Sequence, residues 1–89
     1  MRSIIKDDKK DRCFICHRYG RMQVHHMLHG CHRKNADHFG LTVHLCNDCH
    51  RALHDKGYYD QYLEGLAQIA FESKYGHDEF MKVFQKSWL

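Results

Sequence analysis

Two turns of the form Cys-x-x-Cys constrain this chain more than any other feature of its sequence. They lie at residues 13–16 (Cys-Phe-Ile-Cys) and 46–49 (Cys-Asn-Asp-Cys) and share one spacing. A chain of 89 residues buries only about 60 per cent of its unfolded surface, so a hydrophobic core alone would leave it marginally stable. Four thiolates from two such turns form a closed tetrahedral zinc site. We therefore predict a structural Zn²⁺ on Cys13, Cys16, Cys46 and Cys49, and a largely unfolded chain without it.

The remaining cysteine and the flanking residues bear on the cellular compartment. Ile4 and Ile5 are too brief for a signal sequence, and no apolar run approaches the ~18 residues of a membrane span. We predict a cytoplasmic protein that does not contact a membrane. In a reducing compartment, five cysteines indicate thiolate ligands rather than disulfides, which leaves Cys31 as a free thiol.

Each Cys-x-x-Cys pair is followed by a histidine and so also matches the attachment sequence of c-type haem. Covalent haem attachment normally requires export, for which the chain offers no signal. Haem would also leave most of the ten histidines unexplained. Zinc is therefore the preferred interpretation.

Periodicity divides the chain into a charged lead-in (1–12), a Cys/His-rich core (13–57) and a helical extension (58–89). In the core, residues 21–27 and 41–45 are predicted strands, 30–40 a polar loop, and a helix runs from Asn47 or Asp48 to Lys56 with Gly57 just past its end. In the extension, apolar residues recur three and four apart up to about Tyr75, where Gly76 ends the helix. A second helix from His77 or Asp78 presents apolar residues to the first: Phe80, Met81, Val83, Phe84 and Trp88. The expected fold class is α+β, with two packed C-terminal helices behind a zinc-stapled hairpin and helix.

Four histidines stand out as candidate functional residues. His50 and His54 are four apart on the predicted helix, so both imidazoles face one side, as metal binding by two rings requires. His25 and His26 are adjacent on a predicted strand, where successive side chains point to opposite faces. One of that pair should therefore be a ligand and the other should do something else.

Together these residues resemble the HNH nucleases, also called the ββα-metal or His-Me finger family. The resemblance covers residues 13–56 and includes the Val-His-His-Met strand (24–27) and the segment Leu-Thr-Val-His-Leu-Cys-Asn-Asp-Cys-His-Arg-Ala-Leu-His (41–54). It implies a metal-dependent DNA endonuclease that nicks or cleaves by hydrolysing phosphodiester bonds. It also implies one catalytic divalent ion (Zn²⁺, Ni²⁺, Mn²⁺ or Mg²⁺) on His25, His50 and His54, with His26 as the general base.

The C-terminal phrases at residues 70–76 and 79–84 are similar to small HNH proteins of phages and prophages. This weaker resemblance would place the protein in the cytoplasm of a bacterial host. Besides DNA, the candidate partners are then a second copy of this chain, in a homodimer, or phage proteins of packaging or recombination.

The sequence departs from the family at one position. The Asn that names the family usually precedes the second Cys pair by five residues, where this chain has Leu41. Asn35 in the loop is the expected substitute; Asn47 is better suited to hydrogen bonds at the turn and helix start. His29 is left as a surface residue, with a substrate contact or weak ligand as the alternative, and five other histidines are expected at the surface or in a satisfied core: His17, His32, His38, His44 and His77.

Basic residues around the proposed site indicate contacts with the phosphate backbone of DNA. The candidates are Arg18, Arg21, Arg33, Lys34, Arg51 and Lys56. The net charge of +3 is compatible with nucleic acid but does not require it. We expect strongly salt-dependent and weakly sequence-specific binding. The alternative function is a non-catalytic zinc module that binds DNA or a protein, which could lose His26 freely.

Overall fold

The protein is described by a computed structural model that covers residues 3–57 and 59–89. Met1 and Tyr58, at which the first and third predicted segments begin, lie outside the described residues, as does Arg2. The elements follow the order β1 (Gln23–His26), α1 (Arg33–His38), β2 (Thr42–Leu45), α2 (Asn47–Lys56), α3 (Asp60–Tyr75) and α4 (His77–Phe84). The predicted α+β class is confirmed: one two-stranded sheet is combined with four helices in the described part of the chain.

The two strands form an antiparallel hairpin with His25 opposite Val43 and His26 opposite Thr42. Both strands are shorter than the segments predicted for them. Because side chains alternate across a sheet, His25 is buried and His26 is only partly so. Val43 and Leu45 are buried on β2, so this face of the hairpin belongs to the core.

The segment predicted as a polar loop, residues 30–40, is largely helical, and that prediction was wrong. A single 3₁₀ turn at Gly30–His32 leads directly into α1. Only Ala36 of α1 is buried, so the segment has no apolar periodicity to indicate a helix. Phe39, directly after α1, packs edge-on against Phe71 of α3 with ring centroids 5.0 Å apart.

Helix α2 begins at the second Cys-x-x-Cys pair. The Cys46 side chain, rather than Asn47 or Asp48, caps the helix by accepting a hydrogen bond from the Cys49 backbone N–H. Gly57 follows the helix with a left-handed φ of 71°, which favours glycine and ends α2 where the sequence predicted. The second Cys-x-x-Cys pair therefore supplies both the cap and part of the first turn of α2.

Helices α3 and α4 pack on each other through aromatic side chains, as predicted. Phe71 of α3 lies 5.4 Å from Phe80 and 5.7 Å from Phe84 of α4, measured between ring centroids. All three are buried, while Met81, Val83 and Trp88 are partly buried against the same core. Within the described residues, no helix is both long and apolar enough to cross a membrane.

Both described ends of the chain are bonded to this core. The Asp8 carboxylate, with its side chain 2% exposed, accepts hydrogen bonds from the backbone N–H and from Nδ1–H of His44, both 2.8 Å long. At the other end, the amide oxygen of buried Gln68 accepts from the Trp88 backbone N–H at 2.6 Å. The charged lead-in and the last residues thus contribute buried polar contacts.

Candidate metal centres

The four predicted thiol ligands meet in one cluster. The sulphur atoms of Cys13, Cys16, Cys46 and Cys49 all lie within 4.8 Å of one another, and those of Cys16 and Cys46 are 3.7 Å apart. Sulphurs about 2.3 Å from a tetrahedral Zn²⁺ lie about 3.8 Å from each other, so this spacing fits zinc. The backbone joins the two pairs, since the Phe14 N–H donates to the His44 carbonyl at 2.8 Å. The cluster can therefore hold a structural metal ion.

The thiols of this cluster differ in acidity. Burial opposes the ionisation of Cys13, but backbone N–H groups of Cys16, Cys46 and Ile15 lower its pKa to about 6. Burial, followed by the neighbouring thiols, raises the pKa of Cys49. One thiolate thus forms readily and opposes the ionisation of the next. A divalent cation removes that conflict, because its charge stabilises all four thiolates at once.

The histidines predicted as ligands also come together. The ring nitrogens of His25, His50 and His54 lie within 4.8 Å of one another, although His25 comes from β1 and the others from α2. The Nε2 atoms of His50 and His54 are 3.0 Å apart. Ligands about 2.1 Å from an ion lie about 3.0 Å apart when they subtend a right angle, so the two rings are already at ligand spacing.

His25 lies at the centre of this group. Its side chain is 2% exposed, and its Nε2 is buried without a hydrogen-bond partner among the described residues. A buried ring nitrogen normally finds a partner, and one that does not requires an explanation such as an ion. Burial, and then the charges of His29, His50 and His54, lower the pKa of His25 to about 4. The ring is therefore neutral at physiological pH, as a metal ligand must be.

A second layer of contacts orients His50. Its Nδ1–H donates to the side-chain oxygen of Gln23, and the Gln23 amide donates in turn to Asn47 Oδ1 at 2.8 Å. Because His50 donates through Nδ1–H, its Nε2 lone pair is left facing His54. Partners of this kind fix the tautomer of a ligand histidine and increase its affinity for metal. Asn47 was expected to form hydrogen bonds within its own turn. Its side chain instead accepts a hydrogen bond from Gln23 of β1.

His26, the predicted general base, points away from the ion ligands but reaches the same opening. Its Nε2–H donates to the Asp37 carboxylate at 3.0 Å, and that bond lowers the pKa of Asp37. Leu41, at the position where the sequence resemblance would predict Asn, is fully buried and packs in the core. Asp37 of α1, rather than the expected Asn35, therefore contacts the imidazole.

His29 belongs to a second group of potential ligands. Its Nε2–H donates to Asp60 Oδ1 at 2.6 Å, and its ring lies 5.2 Å from the His25 ring. Donor atoms of His25, His29 and Asp60 lie within 4.8 Å of one another. The site is thus wider than the three predicted ligands, and it includes the first residue of α3.

These rings surround a common opening. A cavity of about 260 Å³ is lined by His25, His26, His29, His50, His54, Val24, Gly30 and Arg33. A neighbouring cavity of about 460 Å³ is lined by His26, Gly30, Arg33, Lys34 and Asp37. The two share His26, Gly30 and Arg33, so the His26 imidazole lies between the other histidines and a basic surface.

The predicted DNA contacts differ in their surroundings. All of these side chains are exposed, but only Arg33 and Lys34 line the cavities described above. Arg18 donates to the Asp48 carboxylate at 3.2 Å with both side chains largely exposed. Arg33 and Lys34 are therefore the basic residues of this set that border the candidate site.

The other histidines have the environments expected of them. His17 and His38 are exposed, His77 donates to Glu72 at 2.7 Å, and His44 bonds to Asp8. His32 packs edge-on against Trp88, with ring centroids 5.1 Å apart. Cys31 is exposed.

Three side chains at the site escaped the sequence argument: Gln23, Asp37 and Asp60. Each bonds to a histidine at least eleven residues away in the chain, so local spacing carries no signal for it. Comparison with protein-family models, with curated proteins and with solved structures gives no significant match to this chain.

Proposed function

We propose that this protein is a metal-dependent DNA endonuclease of the HNH, or ββα-metal, type. One divalent ion would be held by His25, His50 and His54, and a second, structural Zn²⁺ by the four cysteines. The observation that carries the proposal is the buried, unpartnered Nε2 of His25, on a ring that has a nitrogen within 4.8 Å of ring nitrogens of two further imidazoles. The order of elements supports it: a hairpin carries the His25–His26 pair, and the helix directly after it carries His50 and His54.

Three neutral imidazoles suit a catalytic rather than a structural ion, because they leave coordination positions for a phosphate oxygen and water. Bound there, the ion supplies positive charge for the phosphate and the departing 3′ oxygen. Gln23 holds His50 in the tautomer that presents Nε2 to the ion. The burial of His25 excludes water and protons from its ligand nitrogen.

His26 performs the proton transfer in this proposal. Because its Nε2–H is donated to Asp37, its Nδ1 lone pair is free to take a proton from the attacking water. The Asp37 carboxylate then stabilises the imidazolium that forms, as an orienting carboxylate does in other His–Asp pairs. Hydrolysis breaks the bond to the 3′ oxygen and leaves a 5′ phosphate.

Substrate binding is assigned to the phosphate backbone. Arg33 and Lys34 border the His26 side of the opening, where a phosphate approaching the ion would pass. Such contacts position a duplex without reading its bases. Arg18 contributes less, because its guanidinium already pairs with Asp48.

The experiment is incubation of zinc-loaded protein with supercoiled plasmid and a series of divalent ions, with and without a chelator. We expect ion-dependent nicking or linearisation, and a loss of about 10²- to 10⁴-fold in rate for His26→Ala. His38→Ala is the matched control, because His38 is an exposed histidine on α1 outside the cavity.

A non-catalytic zinc module is the rival function, and the same experiment separates the two. Such a module could bind DNA but would not cut it, whichever divalent ion is added. Cutting by His26→Ala at the full rate would reject the base assignment. Both variants should keep the circular dichroism spectrum and the zinc content of the parent protein, since neither residue contacts the thiol cluster.

A further inference from the structure

His29 and Asp60 have no role in the proposed reaction, although His29 lines its cavity and Asp60 is hydrogen-bonded to His29. The His29 imidazole and the Asp60 carboxylate are bonded at 2.6 Å, and both are only partly exposed, at 38% and 35% of their side chains. The two residues come from separate elements, since His29 follows β1 and Asp60 begins α3. The His29–Asp60 hydrogen bond therefore joins the start of α3 to the segment that follows β1.

The geometry points to a second metal site formed by His25, His29 and Asp60, which overlaps the first at His25 and takes a hard divalent cation such as Mn²⁺. The three donor atoms lie within 4.8 Å of one another. The inference deepens the proposed function. It rests on that function for what the ion does, but not for whether the ion binds.

The buried nitrogen of His25 supports this site independently of the His29–Asp60 bond. His25 is 2% exposed and its Nε2 has no partner among the described residues. The rings of His29, His50 and His54 surround it at centroid distances of 5.2, 5.5 and 5.8 Å. His25 is thus as close to His29 as to the two histidines of α2, and its unpartnered atom can serve an ion on either side.

Only one of the two sets can be filled at a time through Nε2 of His25, because a neutral imidazole has one free lone pair. The sets also differ in chemistry. Three imidazoles suit Zn²⁺ or Ni²⁺, whereas a carboxylate oxygen shifts preference toward Mn²⁺ and Mg²⁺. Two histidines and one carboxylate on one face of an ion leave positions open for substrate, so this set remains compatible with catalysis.

The donor atoms of His29 and Asp60 are already close to ligand spacing. Ligands about 2.1 Å from an ion and at right angles lie about 3.0 Å apart, and the His29 and Asp60 donor atoms lie at 2.6 Å. The Nε2 proton of His29 would leave as the ion enters, and the neutral ring would carry its remaining proton on Nδ1. Asp60 is the first residue of α3, so the C-terminal extension would contribute a ligand of its own.

The test is a titration of the zinc-loaded full chain with Mn²⁺, with free Mn²⁺ counted by electron paramagnetic resonance. We expect one Mn²⁺ per chain, an affinity at least about tenfold weaker in Asp60→Asn and His29→Ala, and a change under about threefold in His54→Ala, which spares this set. Asp55→Asn, an exposed carboxylate on α2, is the matched control for loss of charge. In a parallel Ni²⁺ titration, His54→Ala should be the weakened variant.

Unchanged Mn²⁺ affinity in both Asp60→Asn and His29→Ala would overturn the inference and make their contact an ion pair only. Binding of two Mn²⁺ ions to the histidine sites would overturn single occupancy. Circular dichroism of each variant separates lost binding from lost folding. These results are independent of plasmid cutting: Mn²⁺ can bind without nuclease activity, and His26→Ala tests the nuclease without touching this set.

Discussion

Gln23 illustrates how one side chain outside the ion's reach can determine how well the ion binds. Its carbonyl oxygen accepts from His50 Nδ1–H, and its amide is held by Asn47. We expect Gln23→Leu to weaken Ni²⁺ binding at the histidine site by about 10- to 100-fold, because the His50 tautomer is no longer fixed. Isothermal titration of zinc-loaded protein measures this.

Two variants control that prediction. Gln23→Glu keeps an acceptor for His50 Nδ1–H and should keep most of the affinity. Ile69→Ala changes a residue of α3 that is 50% exposed and outside the cavity, and should change the affinity little. Equal losses in Gln23→Leu and Gln23→Glu would mean that the contact with His50 does not act through its acceptor.

The pKa of His25 gives a prediction for pH. A ring must be neutral to bind an ion, so a lowered pKa moves proton competition to lower pH. Burial and the neighbouring imidazoles lower the pKa of His25 to about 4, so this ring stays neutral when pH falls through 6.5. Three histidines of ordinary pKa would lose about 160-fold in affinity between pH 6.5 and 5.5. Removing His25 from the competition leaves a loss of at most about 30-fold, because burial and His54 lower the pKa of His50 as well. Ni²⁺ titrations at the two pH values decide; a loss of 160-fold would contradict the assignment of His25.

At this scale the sequence predicts ligands better than it predicts their partners. His50 and His54 are brought together by helical spacing alone, and the four cysteines by the repeated Cys-x-x-Cys pair. Asp37 and Asp60 reach their histidines through tertiary packing, which no local pattern encodes. His26 was therefore predicted as a functional residue without the carboxylate that contacts it.

The helices and strands likewise divide into those that a local sequence pattern predicts and those that it does not. Strands, α2 and the two C-terminal helices have apolar periodicity or clear end signals, and the structure places them close to the predicted bounds. Helix α1 does not: its sequence Arg-Lys-Asn-Ala-Asp-His buries one alanine, so propensity and tertiary contacts rather than pattern make it a helix. It nevertheless carries Arg33, Lys34 and Asp37, which line a cavity together with His26.

Phe71 connects α3 to the elements that carry the site. Its ring is fully buried and contacts Phe39 after α1 as well as Phe80 and Phe84 of α4. Phe71→Ala should lower the free energy of unfolding by about 3–5 kcal/mol, because the cavity it leaves is enclosed on several sides. Tyr62→Ala, a ring on the same helix that is 58% exposed, should change it by less than about 0.5 kcal/mol. Urea denaturation of the zinc-loaded proteins measures the free energy of unfolding of both variants. Similar losses of stability in the two would contradict the central packing role of Phe71.

For the molecule as a whole, the thiol cluster and the histidine site are not equivalent. The Cys46 sulphur caps α2, and α2 carries His50 and His54, so the thiol cluster positions the histidine ligands. Zinc bound to four thiolates contributes about 10–16 kcal/mol, which matches or exceeds the 5–15 kcal/mol stability of a typical domain. Loss of the structural ion should therefore abolish both sites, while loss of the other ion should leave the fold intact.

Cysteine variants test this order of dependence. Cys46→Ser should unfold the chain, because it removes one of four ligands and the cap of α2 together. Cys31→Ser should change neither folding nor zinc content, since Cys31 is exposed and outside the cluster. His50→Ala should keep one zinc and the folded spectrum but lose Ni²⁺ binding at the site formed with His25 and His54. Circular dichroism with metal analysis distinguishes these outcomes, and a folded, zinc-free Cys46→Ser protein would contradict the claim that the thiol-bound ion holds the hairpin and α2 together.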